Sequence, residues 1–483
     1  MLDPHRPDRA ETGHPLFDSK CSFTGSTDIL NRSPWGSLRL KGDGRDKRAT
    51  PGLGVEASNF ALKEDRNRGV IVIGSNRPIW RNWFTLGLIA VAVQSTLVFL
   101  ISVAKLRSGT DDTDAYYRYA TQAWQGKVPY RDFLVEYPPL AIPLFLAPAA
   151  FAKDVVEFKV ALAVEMLLCN GLAVLFVARW VERREGLRSV PARLAWYTVF
   201  VLILCRLVVT RYDAAPMLVG FVAAAFWSSN RGALGGLAAS LGALLKIYPA
   251  AIALVASVGD WKRGRRPWGA LAFILTSILG VAAWFSICGV EGVSKSIGYH
   301  SGRGFEYGSL GSGLQMLAAK IVGAEILISR DHGSFSSITP WSELVLRGIF
   351  PLQAASILAI SWIFARRGAN ETIRYSGAAI LAFVVTGKVF SPQYLIWLIP
   401  FMAALEAPIG RRGRWLFASV CASTLLAPSA LNSLPRTSLW VILAYNGRNV
   451  LIIWLLILLV FGPASPRAHN NQGEADDRPA GGR

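Results

Sequence analysis

Long apolar runs separated by short polar turns fill the chain from residue 84 to residue 461. A membrane-crossing helix needs ~20 apolar residues, and somewhat fewer where the bilayer is thin. The runs that qualify are 84–104, 155–178, 194–210, 214–229, 232–246, 248–259, 267–288, 343–365, 375–390, 393–405, 415–430 and 438–461. Two adjacent pairs, 232–259 and 375–405, are interrupted at Lys246-Ile247-Tyr248-Pro249 and at Lys388-Val389-Phe390-Ser391-Pro392-Gln393-Tyr394. Proline accounts for both interruptions, because it lacks an N–H and its ring clashes with the preceding turn. The pattern predicts an all-α polytopic membrane protein with about twelve transmembrane helices and a large first outer loop. The apolar stretch 138–151 is shorter and carries Pro138, Pro139, Pro143 and Pro148. It is expected to be re-entrant or interfacial rather than to cross.

Composition agrees with the pattern. Charged residues make up 17% of the 483 and hydrophobic residues 52%, whereas soluble domains carry about 25% charged residues. So few charges cannot cover a soluble surface of this size. The formal net charge of +19 would suggest nucleic acid in a polar chain, but beside these apolar runs it points to orientation in a membrane, with no nucleic-acid partner. Residues 1–80 are polar, basic and rich in Gly, Ser and Pro, and read as a disordered cytoplasmic tail without a cleavable signal peptide. The run Gly69–Gly74 is at most one short strand. Residues 81–462 form the multi-pass domain, and 463–483 a cytoplasmic C-terminal tail. The five cysteines show no CxxC spacing, so no zinc site or disulfide framework is readable. No GxGxxG or P-loop pattern is present, which argues against a soluble nucleotide-sugar domain. Abundant Arg, Ala and Gly hint at a bacterial genome.

Short loops rich in Lys and Arg stay cytoplasmic. Four qualify: Arg179, Arg183, Arg184, Arg188 and Arg193; Lys262, Arg263, Arg265 and Arg266; Arg366, Arg367 and Arg374; and Arg411, Arg412 and Arg414. Twelve crossings with both tails inside satisfy all four. The remaining polar motifs then fall on the outer side. They are Asp111-Asp112-Thr113-Asp114 with Tyr116 and Tyr117, Glu136-Tyr137, Arg211-Tyr212-Asp213, Lys246 to Pro249, Tyr299-His300 with Arg303 and Glu306, and Lys388 to Tyr394. A transporter would instead place ionisable groups near mid-membrane, where Glu165 is the clearest example. An outer-face set of acids, cations and aromatics suits sugar transfer from a lipid-linked phosphosugar. A carboxylate takes the acceptor's proton, cations hold the leaving phosphate, and aromatic rings stack on sugar faces.

Three strings carry a family resemblance: Asp112-Thr113-Asp114-Ala115-Tyr116-Tyr117-Arg118-Tyr119-Ala120, Gly126-Lys127-Val128-Pro129-Tyr130-Arg131-Asp132-Phe133, and Glu136-Tyr137-Pro138-Pro139-Leu140. Together with Arg211-Tyr212-Asp213, Lys246-Ile247-Tyr248-Pro249 and Ser391-Pro392-Gln393-Tyr394, in that order, they resemble glycosyltransferase family 87 over roughly residues 84–461. The resemblance implies a GT-C-type membrane transferase, mostly mannosyl-transferring, that uses polyprenyl-phosphate sugars and acts on glycolipid or glycan acceptors at the extracytoplasmic face of the cell membrane. It implies a catalytic Asp early in the first outer loop, with Asp112 the first match and Asp114 the second. Lys246, Arg211 and Lys388 become candidates for the donor phosphate. Asp213, Tyr248, His300, Arg303, Glu306, Gln393, Tyr394, Glu136 and Tyr137 become candidates for the pocket. One position departs: the family pattern often has a Glu before the Ser-Leu pair, and this chain has Gly308, with Glu306 close by as a substitute.

Simpler readings stand beside these. Asp112-Thr113-Asp114 is also a helix-capping signal, Arg211 with Asp213 an ordinary ion pair, and Tyr248 and Tyr394 ordinary interface tyrosines. Asp112-x-Asp114 is a weak signal for a divalent cation bridging to phosphate, and no cofactor is assigned. Rival functions are transfer of another polyprenyl-phosphate sugar such as arabinose or glucose, a lipid or polysaccharide transporter with Glu165 as its sensitive acid, and a structural subunit.

Overall fold

The structure, a computed structural model, describes residues 82–106 and 112–466. The expected tail at 1–80, the short run at 69–74 and the chain beyond 466 lie outside the described residues.

The described chain is a helical bundle. Its helices are α1 (Trp83–Leu106), α2 (Asp112–Trp124), α3 (Ala141–Ala149), α4 (Val155–Glu185), α5 (Val190–Ile203), α6 (Cys205–Thr210), α7 (Ala214–Ser228), α8 (Gly232–Leu245) and α9 (Pro249–Lys262). They continue with α10 (Trp268–Ser301), α11 (Leu310–Val322), α12 (Ser342–Arg366), α13 (Thr372–Val385), α14 (Ile399–Ala403), α15 (Gly410–Ala430) and α16 (Leu439–Phe461). A 3-10 segment, Pro392–Leu398, leads into α14. The apolar runs read from the sequence map onto these elements within a few residues at most ends, with 194–210 divided into α5 and α6 and 267–288 extended through a kink at Gly289, where φ is +68°. Both proline interruptions are present. Lys246 is extended after α8 and Pro249 opens α9, while Pro392 opens the 3-10 segment after α13.

Among the described residues five helices, α1, α4, α10, α12 and α16, are long and apolar enough to cross a membrane by length and composition. Their outward residues are apolar and exposed, as with Ile274, Leu275, Ile278 and Leu279 on α10. That is the reverse of a soluble helix and suits lipid contact. Exposed Trp261, Trp268 and Trp415 mark one end of the bundle and Trp124 and Trp440 the other, as interfacial belts do. α3 has only nine residues, about 13 Å of helix, which is too short to cross. It packs Phe145 against Tyr116 and Tyr212 instead.

Small residues set the helix packing. A side-chain carbon on Gly236 of α8 would collide with the Gly269 carbonyl of α10, and one on Gly269 would meet the Trp227 ring at 2.5 Å. Close backbone approach of this kind is how helices gain dispersion contacts in lipid, where apolar burial drives little.

The long loop after α10 departs from a purely helical picture. It holds α11 and a small antiparallel sheet in the order β1 (Phe305–Glu306), β3 (Ser334–Ile338), β2 (Leu327–Asp331). Glu306 pairs with Ser336 in its register.

Candidate active site

The basic clusters converge on one end of the bundle. Arg184 at the end of α4 pairs with Glu406 at 3.2 Å. Arg263 donates to the Ala369 carbonyl, and Arg374 donates to the carbonyls of Leu459 (2.6 Å), Gly462 (2.7 Å) and Pro463 (3.0 Å). A cavity at this end is lined by Arg184, Glu371, Arg374, Glu406 and Ser465, but those charges are already paired with one another or with backbone carbonyls.

The other polar motifs gather at the opposite end. α4 relates the two ends, since Lys159 in its second turn meets Asp114 and Arg184 in its last turn meets Glu406. At 1.5 Å per residue those contacts lie roughly 38 Å apart.

Two acid–cation pairs form the centre of this end. Arg211, extended after α6, pairs through Nη1 with Asp112 Oδ2 in the first turn of α2. Asp213, wholly buried, takes the Lys246 ammonium on Oδ1 at 2.6 Å. The same oxygen accepts the Trp397 indole N–H at 2.6 Å. Lys246 Nζ also lies 4.5 Å from the centre of the Tyr212 ring, 5.3 Å from Trp397 and 5.7 Å from Tyr394. Burial pushes the Lys246 ammonium down from its ordinary value, and Asp213 opposes that shift. In such a cage the carboxylate and the ring faces are what favour the charged form of the lysine.

Aromatic rings wall the centre. Tyr116 stacks on Phe145 at 4.4 Å and meets Tyr137 and Tyr212 edge-on. Trp397 lies between Tyr248, at 4.1 Å, and Tyr394, at 4.3 Å, with nearly parallel planes.

A second group sits beside the first. The His300 ring Nε2 donates to the Glu136 carbonyl at 2.6 Å. Lys388 donates to the Ser301 carbonyl at 3.1 Å, and its own carbonyl accepts from the Glu306 amide at 2.9 Å. Arg303 donates to Ser334 Oγ at 2.8 Å and lies 3.9 Å from Glu306. Burial raises the Glu306 carboxyl above its ordinary value, while Arg303 and Arg448 pull it down. Burial and Arg303 both lower the Lys388 ammonium.

The structure thus brings Asp112, Arg211, Asp213, Lys246, Tyr137 and Tyr394 into one cluster. It places Lys388, His300, Glu136, Arg303 and Glu306 in the adjoining one. Two sequence candidates are occupied locally: Gln393 accepts from Ser391 Oγ at 2.6 Å, and the Tyr248 hydroxyl donates to the Pro216 carbonyl at 2.8 Å. Asp114 pairs with buried Lys159 at 2.9 Å and ties α2 to α4. The idea of a cation bridging Asp112 and Asp114 does not fit this arrangement. Residues two apart on a helix do not face each other, and each carboxylate holds a different cation. Among the described residues no group of three or more metal-ligating side chains occurs. Glu165 is half-buried on α4, and its Oε2 has no hydrogen-bond partner among the described residues.

Three residues of this end were not singled out in the sequence: Lys159, Trp397 and Arg448. Arg448 is buried in α16, donates to the Gly308 carbonyl and lies 4.0 Å over the Phe390 ring. It thereby occupies the neighbourhood where the family pattern has an acid and this chain has Gly308. Lys159 and Arg448 carried a readable signal, a lone cation inside an apolar run. Trp397 carried none.

A helical bundle with long apolar helices and paired acids and cations at one end defines a multi-pass membrane protein with a charged site at that end. The family model for glycosyltransferase family 87 matches residues 133–392, more than half of the chain, and the chain belongs to that family. It is a membrane glycosyltransferase. The match contains Arg211, Asp213, Lys246, His300 and Lys388 and begins after Asp112 and Asp114. Among solved structures the chain is similar to ArnT from Cupriavidus metallidurans in the apo state, at 14% identity over 78% of this chain and 77% of that one, with a TM-score of 0.42. No curated protein matches.

Proposed function

We propose that the protein transfers a hexose, with mannose the favoured sugar, from a polyprenyl-phosphate donor to a glycolipid or glycan acceptor at the extracytoplasmic face. The observation that carries this is the joining of Asp112–Arg211 and Asp213–Lys246 at one end of a family-87 bundle. The four basic loops at the opposite end support an outer-face site by the positive-inside rule. The donor's lipid stays in the bilayer while its phosphate meets Lys246 and Arg211. Lys388, held beside Arg303, serves the neighbouring substrate surface with His300 and Glu306.

The acceptor hydroxyl oxygen attacks the anomeric carbon, its proton passes to the Asp112 carboxylate, and the sugar–phosphate bond breaks with its electron pair leaving on the phosphate. Attack opposite the leaving group inverts the anomeric centre, so a β-linked donor gives an α product. Arg211 has two demands in this scheme. It sits on Asp112, and a phosphate bearing more charge competes for the same guanidinium. As Arg211 turns to the phosphate, Asp112 loses its counter-ion and becomes a better base.

The test compares Asp112→Asn with the parent, both purified and folded, using labelled polyprenyl-phosphate mannose, arabinose and glucose. Loss of transfer in the variant supports Asp112 as base, and near-normal transfer removes it from the mechanism. The donor that the parent uses names the sugar.

A further inference from the structure

Lys246 and Arg211 are held in different ways. Arg211 pairs with a carboxylate whose side chain is 43% exposed, whereas the partner of Lys246 is 0% exposed. Asp213 is anchored a second time by the Trp397 indole N–H on the same Oδ1 oxygen, at 2.6 Å. That indole is itself fixed, because its ring is stacked between Tyr248 and Tyr394. Tyr248 is pinned in turn through its hydroxyl to the Pro216 carbonyl. The chain of restraint runs from a three-ring stack, through one N–H, to one carboxylate oxygen, and ends on one ammonium. Asp213 Oδ2 has no hydrogen-bond partner among the described residues, so the carboxylate's bonding is concentrated on the oxygen that Lys246 and Trp397 share.

Nothing in this chain of contacts requires Asp213 or Trp397 to touch a substrate. Both are buried, with Trp397 2% exposed, while the Lys246 side chain keeps 15% exposure. Lys246 is therefore the member of the set that reaches outward. A flexible lysine stem ordinarily loses several rotatable bonds of freedom when it binds an anion, and fixing it beforehand removes that cost from binding.

We propose that Asp213 and Trp397 act as a positioning pair that holds Lys246 charged and aimed for the donor's phosphate. This rests on the reading of Lys246 as a phosphate ligand. The pair works through Lys246 and takes no part in bond making. Trp397 sets the geometry and Asp213 supplies both geometry and counter-charge, so the two differ in what their loss does. The charged groups facing Lys246 are Asp213, Arg211 and Glu136, with the rings of Tyr212, Trp397 and Tyr394 around it. Without Asp213, burial and Arg211 both work against the ammonium, and Lys246 loses its proton at lower pH than in the parent.

The experiment measures binding of a sugar-free polyprenyl phosphate to the full chain in nanodiscs, with the matching polyprenol as the uncharged control. Trp397→Phe keeps an aromatic ring in the stack and removes the N–H together with the rest of the five-membered ring. It is expected to weaken polyprenyl-phosphate binding about tenfold, a change of ~1.4 kcal/mol, with the pH profile unmoved and acceptor KM unchanged. Asp213→Asn is expected to weaken binding further, with the loss growing as pH rises and shrinking as pH falls. Adding Lys246→Met to either variant should cost no more than Lys246→Met alone. Parent-like binding by Trp397→Phe, or losses that add to that of Lys246→Met, overturn the positioning role while leaving Lys246 as a ligand. Parent-like binding by Lys246→Met overturns both the ligand reading and the positioning role built on it. Trp397→Phe keeps the test decisive if Asp213→Asn fails to fold.

Discussion

The two ends of the bundle use the same cations for opposite purposes. At the basic end, beside ion pairs such as Arg184–Glu406 and Arg193–Glu185, several arginines meet backbone carbonyls. Arg374 and Arg367 together cover the carbonyls of Leu459, Phe461, Gly462 and Pro463, where α16 ends, and Arg414 covers that of Leu405. Helix C-termini leave carbonyls without partners, and a guanidinium there satisfies them and complements the helix dipole. At the other end the central cations meet carboxylates and ring faces, as in Arg211–Asp112, Lys246–Asp213 and Lys159–Asp114. A carbonyl cap is a structural arrangement that any substrate would leave alone. A carboxylate pair can be exchanged, because a phosphate can compete for the cation and a hydroxyl can give its proton to the acid.

The contrast makes predictions that separate activity from stability. The largest effect is expected at Asp112. Asp112→Asn should lower kcat by about a hundredfold or more, the usual worth of a positioned base, with a melting temperature close to the parent's. A loss of kcat that tracks a loss of folded protein would break the contrast. Next comes Arg374→Met at the basic end. It removes the side-chain donor to the buried Leu459 carbonyl and the partner of Glu371, so it should cost about 3 kcal/mol of stability, read as a lower melting temperature in detergent. Transfer per folded molecule should be unchanged. If Arg374→Met instead altered donor KM, the basic end would share in catalysis.

The smallest expected effect concerns Glu306. Its carboxyl is raised from the ordinary value of 4.5, chiefly by burial. A group raised on folding contributes stability that is complete below its unfolded value and is lost as pH rises through the folded value. The parent should therefore lose a small increment of stability as pH climbs from 4.5 through that raised value. Glu306→Gln should flatten that part of the profile, measured as melting temperature against pH. An unchanged slope would mean that Arg303 and Arg448 keep Glu306 ionised throughout.

Much of the helical layout was legible in the sequence. Twenty apolar residues interrupted by proline permit few arrangements in lipid, so the breaks at Pro249 and Pro392, the start of α4 and both ends of α12 and α16 could be placed closely. The loop 289–342 was less legible. Its three short strands and α11 lie in a stretch where neither apolar length nor simple alternation dominates. The candidate site was legible as a set of residue types on one side, through Asp112, Arg211, Asp213, Lys246 and their aromatic neighbours. Its pairings were not.

By itself the sequence determined that this chain lives in a membrane, where its helices break, and which loops carry the basic and which the acidic and aromatic residues. These properties are local, because they depend on hydropathy and backbone chemistry over one or two turns. Only the tertiary structure decided that Asp112 holds Arg211, that Asp114 is spent on Lys159, and that Trp397 and Lys246 meet on one oxygen of Asp213. Partners 99, 45, 184 and 33 residues apart, by subtraction of those numbers, meet through helix packing. Hydropathy sets which segments enter the membrane and leaves open which face of each helix meets which neighbour.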